Sequence, residues 1–169
     1  MAVNLSPRQF LDPDLAEKMI RIIESASVSA IQLELEITEN ALMHNPVKAI
    51  AALTQMRSLG AKVSIDDFGT GYSSLSYLKN LPIDALKIDQ SFIAGLPDDA
   101  SDLAIVGAVI AIARELKLRV TAEGVETQEQ SGILHALGCD EVQGYLYSRP
   151  LTAADFLAML HQGQARADA

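Results

Sequence analysis

The sequence predicts an α/β fold in which a parallel sheet alternates with helices. Six short apolar runs alternate along the 169 residues with longer segments that carry apolar residues at helical spacing. Each of these runs also ends in a carboxylate, an amide or an amine. Strand–helix alternation of this kind is typical of parallel sheets with right-handed crossovers, in which the carboxyl ends of the strands share one rim.

The distribution of the polar strand ends favours a closed barrel over an open, doubly wound sheet. An open sheet concentrates its ligand residues at one switch point, whereas a (β/α)8 barrel draws them from many strand ends. Nearly every predicted strand here ends in a polar group. Since the sequence contains about six β/α units, we predict a TIM-like (β/α)8 barrel that is incomplete by about two units.

The predicted strands are short, aliphatic runs. In chain order they are Ala2–Leu5, Ile31–Thr38, Lys62–Phe68, Ala85–Asp89, Arg119–Val125 and Glu141–Tyr147. Side chains alternate along a strand, so Glu34 and Glu36 should share one face of the second strand while its apolar residues occupy the other.

Helices are predicted between and after these strands. They are Asp12–Ser27, Asn45 to the stop at Gly60, Ser73–Leu78, Asp98–Leu118, Thr127–Leu137 and Thr152–Leu160. Pro46 suits a first helical turn, and the segment from Thr127 to Gln130 is close to a capping box. Residues 1–161 are predicted to form one domain, and the small polar tail 162–169 is predicted to fray.

Composition excludes several classes of protein. Lys and Arg number 13 against 22 Asp and Glu, a net charge of −9, which argues against DNA or other non-specific nucleic-acid binding. No run reaches the length of a membrane span, and the N-terminus lacks a secretory pattern. Cys139 is the only cysteine, so we expect no disulfide within the chain and a reducing, cytoplasmic compartment.

The pair Asp66-Asp67 is the strongest local indication of a cation site. A turn at the end of a strand can bring both carboxylates to one site, where cations would offset their repulsion. The alternative is an ordinary turn or helix cap ahead of Gly69-Thr70-Gly71. An acidic pocket of this kind can still take an anionic ligand when divalent cations bridge the two.

Charged residues in other strands leave similar alternatives. Glu36 would be costly inside a barrel unless it were paired or bound to metal, whereas Glu39 alone would suit an exposed helix start. Lys87 either forms a salt bridge to Asp89 or another acid, or positions a water or a phosphate oxygen. Glu123 is a strand acid followed by a glycine that lets the chain turn.

Six motifs follow one another along the chain: Asn4-Leu5-Ser6, Glu36-Ile37-Thr38-Glu39, the ten residues from Asp66 to Leu75, Lys87-Ile88-Asp89, Ala122-Glu123-Gly124-Val125-Glu126 and Gln143-Gly144-Tyr145. In this order they resemble the motifs of EAL-domain cyclic-di-GMP phosphodiesterases, and the resemblance covers essentially the whole chain to about Leu160. The resemblance implies a barrel whose first strand is antiparallel to the others. It also implies hydrolysis of cyclic-di-GMP to linear pGpG with two Mg²⁺ or Mn²⁺ ions, and inhibition by Ca²⁺.

The resemblance implies a role for each matching residue. The expected metal ligands are Asn4, Glu36, Asp66, Asp67 and Glu123. Asp66 would be shared between the two ions, and Glu123 would bind directly or through water. The hard oxygen donors of such a set suit Mg²⁺ or Mn²⁺.

The resemblance implies four catalytic residues, Lys87, Asp66, Asp67 and Glu123. Lys87 would orient the attacking water. Glu39 would anchor the Asp67–Ser74 loop, which in this family links the metal site to a homodimer interface. Gln143 would lie at the edge of the site. Asp89 and Glu126 are further predicted substrate or loop residues.

One part of the family pattern is absent. The Glu-Ala-Leu motif, expected on a strand upstream of Asn4 together with an Arg that contacts substrate phosphate, does not occur. We therefore expect an N-terminally truncated EAL domain that is itself weak or inactive, from an active parent protein with upstream sensory or GGDEF domains. The alternatives are a receptor that binds cyclic-di-GMP without cleaving it and a metabolic TIM-barrel enzyme, whose late phosphate-binding glycine loops are missing.

Overall fold

A six-stranded, all-parallel sheet organises the chain, which the computed structural model describes over residues 1–12, 14–44, 46–71 and 78–167. The strands are β1 (Ala2–Leu5), β2 (Glu34–Thr38), β3 (Lys62–Phe68), β4 (Ala85–Ile88), β5 (Arg119–Glu123) and β6 (Glu141–Gln143).

Seven α-helices alternate with the strands along the described residues. They are α1 (Leu15–Ser25), α2 (Glu39–His44), α3 (Pro46–Ser58), α4 (Gln90–Ala94), α5 (Ala100–Glu115), α6 (Gln128–Leu137) and α7 (Ala153–Ala167), with short 3-10 turns at Gln9–Leu11 and Ala30–Gln32. None of the helices in the described part of the chain is both long and apolar enough to cross a membrane.

The strands lie in the sheet in their order along the chain, β1 to β6. An open, doubly wound sheet reverses its strand order at a switch point, whereas here every parallel crossover steps the same way, as in a barrel. The predicted incomplete barrel of six β/α units is thereby confirmed. The antiparallel first strand that the resemblance implies is not one of these six.

The two faces of the sheet differ sharply in polarity. Residues on one face form the apolar core with the helices, and each is at most 1% exposed: Leu35, Ile37, Val63, Ile65, Leu86, Ile88, Val120 and Ala122. Because side chains alternate along a strand, the opposite face carries polar residues, among them Glu36, Ser64, Lys87 and Thr121. The core therefore supports a polar concave face, and the site is built on that face.

Some predicted boundaries differ from the observed ones. Strand β2 begins at Glu34 because Ala30–Gln32 forms a 3-10 turn. Helices α2 and α4, of 6 and 5 residues, were not predicted, since helices so short show no full amphipathic period. The predicted helix Ser73–Leu78 lies outside the described residues except for Leu78. The backbone of α7 continues to Ala167, and fraying of the tail stays a prediction.

Candidate active site

A buried lysine on β4 lies at the centre of the site. The Lys87 Nζ atom is 2.7 Å from Glu36 Oε1 on β2, 2.6 Å from Glu123 Oε1 on β5 and 3.4 Å from Asp66 Oδ1 on β3. Lys87 is 6% exposed. Three of the predicted acids, from three different strands, thus converge on one ammonium group.

Asp67 joins this cluster because the backbone of β3 turns at its end. The pairing of β3 with β4 shifts register between Ile65 and Phe68, and Asp67 has the left-handed φ of 54°. A positive φ is uncommon for a residue other than glycine and costs backbone strain. In return, it places consecutive carboxylates at one site, as the first alternative for Asp66-Asp67 predicted.

Three carboxylates form a cluster whose geometry suits a cation. One oxygen each from Asp66, Asp67 and Glu123 lies within 4.8 Å of the other two. Burial raises the pKa of Asp67, and the charges of Asp66 and Asp89 raise it further. Burial likewise raises the pKa of Glu123, against the opposing effect of Lys87. Among the described residues, the one ammonium group of Lys87 faces the carboxylates of Glu36, Asp66 and Glu123 with Asp67 adjacent, so negative charge exceeds positive charge in the cluster.

Lys87 stays protonated in this environment. Burial alone would lower the pKa of Lys87, but its hydrogen bonds to Glu123 and Glu36 outweigh that effect and hold the pKa above its usual value. A lysine with a raised pKa is a poor proton acceptor near neutral pH. Its chemistry is that of a fixed hydrogen-bond donor and positive charge.

The structure places Asp89 beside Asp67 rather than beside Lys87. Burial would raise the pKa of Asp89, yet hydrogen bonds from the hydroxyl group and the backbone N–H of Ser91 lower it. Asp89 also caps helix α4 by accepting a hydrogen bond from the backbone N–H of Ser91. Of the two partners considered for Lys87, the other acids are the observed ones.

Two predicted amides lie at the two edges of the described sheet. Asn4 on β1 is directly opposite Glu36, and Gln143 on β6 is directly opposite Glu123. Both residues are exposed. Their register puts them next to the carboxylate cluster, and contact with it stays a prediction.

Glu39 and Glu126 lie outside the cluster. Glu39 is the first residue of α2 and is 3% exposed, and its carboxylate oxygens have no hydrogen-bond partner among the described residues. It lies against Gly71, where an added Cβ would be 2.6 Å from Glu39 Oε1. Glu126 is exposed, and its backbone N–H donates to Gln130.

Gln130 is a structural organiser that the sequence reasoning recognised only as a helix cap. Its buried amide oxygen accepts hydrogen bonds from the backbone N–H groups of Glu126 and Thr127, at 2.8 and 3.1 Å. Its amide nitrogen donates to the Ile93 carbonyl at 3.0 Å. Gln130 therefore ties the loop after Glu123 to helix α4, which follows Lys87. The predicted capping box is confirmed. It is the sequence pattern from which the position of Gln130 could be recognised.

Gly144, directly after Gln143, is expected to tolerate no side chain. An added Cβ would lie 2.1 Å from the Val125 carbonyl oxygen and 2.3 Å from the Val125 nitrogen, both of them backbone atoms. We expect Gly144→Ala to lower the free energy of unfolding by about 2–3 kcal/mol, because the chain must shift to relieve the overlap. Urea denaturation measures this.

The matched control for this substitution is Gly132→Ala. A Cβ at Gly132, inside α6, meets nothing within 4 Å. It should stabilise the protein by about 0.5–1 kcal/mol, since alanine favours a helix over glycine. Equal stability of Gly144→Ala and the parent protein would show that the loop after β6 is not packed as described.

The fold and the cluster together define an α/β barrel domain with an acidic cluster at the carboxyl rim of its strands. The sequence model of the EAL domain matches residues 1–150. The chain belongs to the EAL domain family, and the resemblance in its motifs is confirmed.

Several known proteins are similar to this chain. The cyclic di-GMP phosphodiesterase NbdA of Pseudomonas aeruginosa is 49% identical over 154 residues, which make up 91% of this chain and 20% of NbdA. The solved MucR phosphodiesterase of the same organism, in complex with c-di-GMP, matches with a TM-score of 0.88 at 44% identity, over 92% of this chain and 63% of that one.

A third similar protein was solved with a metal. Klebsiella pneumoniae BlrP1, in a complex with manganese and cyclic-di-GMP, matches with a TM-score of 0.80 at 33% identity, over 88% of this chain and 38% of that one. The chain spans about a fifth of the length of the curated relatives that it matches.

Proposed function

We propose that this chain carries most of the site of a metal-dependent phosphodiesterase that hydrolyses cyclic-di-GMP to linear pGpG. The convergence of Glu36, Asp66 and Glu123 on Lys87, with Asp67 adjacent, carries the proposal. The names of NbdA and of MucR, each a cyclic di-GMP phosphodiesterase, support the substrate.

The residues present fit divalent cations. The cluster offers carboxylate oxygens, the donors that Mg²⁺ and Mn²⁺ prefer, and its four carboxylates outnumber the one ammonium group, that of Lys87, found among them in the described residues. Asp66, Asp67, Glu123, Glu36 and Asn4 would hold the metals. Bound cations would supply Lewis-acid stabilisation of charge on the phosphodiester and lower the pKa of water. The BlrP1 complexes with calcium and with manganese support a site for divalent cations.

In this proposal Lys87 orients the attacking water or a phosphate oxygen. Because Lys87 stays protonated, it acts by donating hydrogen bonds and by compensating negative charge, not by accepting a proton. Its position between β2 and β5 fixes that charge within the cluster. Positioning of this kind lowers the barrier by holding the reactants in a productive geometry.

We propose further that Glu39 anchors the Asp67–Ser74 loop and that this loop region links the site to a homodimer interface. The buried carboxylate of Glu39 lies against Gly71 of that loop, which supports the anchoring role. A buried carboxylate needs a partner to offset its desolvation. Backbone N–H groups of the loop are donors of the required kind.

The proposed activity of this chain by itself is low. The sequence holds no Glu-Ala-Leu motif, so the expected further carboxylate ligand is not supplied. In the sheet of the described residues, β1 and β6 each pair on one side alone, which leaves strand edges open. Slow turnover relative to the MucR phosphodiesterase follows from the missing ligand.

The remaining expectations concern the protein's surroundings. A cytoplasmic location and upstream sensory or GGDEF domains are part of the proposal. MucR, which combines diguanylate cyclase with cyclic di-GMP phosphodiesterase in one protein, supports such a domain arrangement.

Calorimetry with cyclic-di-GMP tests the proposed substrate. We expect binding in Ca²⁺, which is expected to permit binding without turnover, and loss of binding in EDTA, since the cations bridge an acidic site to a dianionic ligand. Binding that is equally strong in EDTA would contradict a metal-dependent site. Binding without any pGpG formation in Mg²⁺ or Mn²⁺ would instead assign the chain to cyclic-di-GMP receptors.

A further inference from the structure

A second ion-pair cluster lies on the same face of the sheet, towards the amino ends of the strands. Arg119, the first residue of β5, donates to Glu34 Oε2 on β2 at 3.2 Å through one arm of its guanidinium group. The other arm donates to Glu141 Oε1 on β6 at 2.7 Å. Glu141 Oε2 also accepts a hydrogen bond from Thr121 at 3.1 Å.

The pair with Glu34 spans an unusual distance across the sheet. Strands β3 and β4 lie between β2 and β5. Neighbouring strands are about 4.8 Å apart, so three steps across a flat sheet cover about 14 Å. Curvature of the sheet brings the two strands closer together on the concave face, so that the side chains of Arg119 and Glu34 can meet. The Arg119–Glu34 contact therefore depends on the curvature of the sheet.

On the concave face, the residues level with Arg119 on β4 and β3 have small side chains. Ala85 on β4 is directly opposite Arg119, and Ser64 on β3 is directly opposite Ala85. Both are small, so the concave face between β5 and β2 is not blocked at this level. Lys62 lies directly opposite Glu34 on the adjacent strand, yet Glu34 forms its ion pair with the more distant Arg119.

The lower cluster and the carboxylate site use the same strands. Glu36 follows Glu34 by two residues on β2, and Glu123 follows Arg119 by four residues on β5, all on the concave face. Lys87 forms ion pairs with Glu36 on β2 and Glu123 on β5. The ion pair between Arg119 and Glu34 likewise links β5 to β2. A cation bound to the carboxylates would compete with Lys87 for them, whereas the Arg119 contacts lie outside the cation site.

We infer that Arg119 is a positioning residue for the carboxylate site. Its two ion pairs hold β2, β5 and β6 at the curvature that brings Glu36 and Glu123 to opposite sides of Lys87. Arg119 touches neither the proposed metals nor the substrate. The effect on cation binding rests on the proposed function, whereas the effect on sheet curvature does not.

Distance measurement by pulsed electron paramagnetic resonance tests the curvature directly. Nitroxide labels at Asn40→Cys in α2 and Glu129→Cys in α6, both exposed positions after β2 and β5, report the spacing of these strands in a Cys139→Ala background. We expect Arg119→Met to shift the distribution to longer distances and broaden it without any metal. Arg114→Met, the same change at an exposed arginine of α5, should leave it unaltered.

Glu34→Gln is the second variant, for use if Arg119→Met fails to fold. It keeps the pair with Glu141 and weakens only the arm that crosses the sheet, so it should also lengthen the distance. A distribution unchanged in Glu34→Gln, or in folded Arg119→Met, would overturn the inference.

Mn²⁺ titration of the same variants separates this inference from the proposed function. We expect Arg119→Met to bind Mn²⁺ about ten-fold more weakly than the parent, the scale seen when groups that support metal ligands are removed. Arg114→Met should bind like the parent. A parent protein that binds no Mn²⁺ would refute the proposed metal site, while the distances would still decide the role of Arg119.

Discussion

Lys87→Met is expected to lower the free energy of unfolding of the metal-free protein by about 3 kcal/mol or more. The substitution removes the ammonium group that Glu36, Asp66 and Glu123 share and leaves these partly buried carboxylates without compensation. Methionine keeps most of the side-chain volume, so the loss reports charge rather than packing. Urea denaturation in EDTA measures it.

The same variant should keep or gain affinity for Mn²⁺, because the ammonium group no longer competes for the carboxylates. Any cyclic-di-GMP hydrolysis should fall by about a hundred-fold or more, since Lys87 orients a reactant. Lys79→Met, at an exposed position, is the matched control and should change neither quantity. A metal-free Lys87→Met protein as stable as the parent would contradict the central place of Lys87.

Asp66→Asn is expected to have the opposite effect on stability. It removes one negative charge from a cluster in which four carboxylates surround the ammonium group of Lys87, so the metal-free protein should be at least as stable as the parent. Its affinity for Mn²⁺ should fall by at least about a hundred-fold, because Asp66 is the ligand expected to be shared by both ions. Denaturation in EDTA and Mn²⁺ titration give the two values.

Asp98→Asn serves as the control, because Asp98 is exposed and remote from the cluster in the chain. It should alter neither Mn²⁺ affinity nor stability appreciably. If Asp66→Asn bound Mn²⁺ like the parent, the carboxylates described here would not be the metal site. A loss of stability in Lys87→Met together with no loss in Asp66→Asn is the result expected for a cluster with excess negative charge that binds cations.

The fold was largely predictable because strand periodicity and helix stops are local. The alternation of Glu34 and Glu36 with buried Leu35 and Ile37 in β2 was readable from a few residues. The 3-10 turn ahead of β2 and the short helices α2 and α4 were not. They depend on contacts with neighbouring elements and have too few residues for a period.

The acids and the lysine that cluster at the candidate site were identifiable from the sequence, but their mutual contacts were not. Sequence reasoning left Lys87 with Asp89 or another acid, and the structure pairs it with acids from three other strands. Those pairings depend on register and on sheet curvature, which no local pattern encodes. The cross-sheet contact of Arg119 with Glu34, 85 residues apart, was missed for the same reason.

Chromatographic analysis of the products that this chain forms from cyclic-di-GMP is the decisive test of the proposed phosphodiesterase. We expect linear pGpG to form in Mn²⁺, more slowly than with the MucR phosphodiesterase, and to form neither in EDTA nor with Asp66→Asn. A folded protein that yields no pGpG in Mg²⁺ or Mn²⁺, or one that yields it equally in EDTA, would contradict the proposed function.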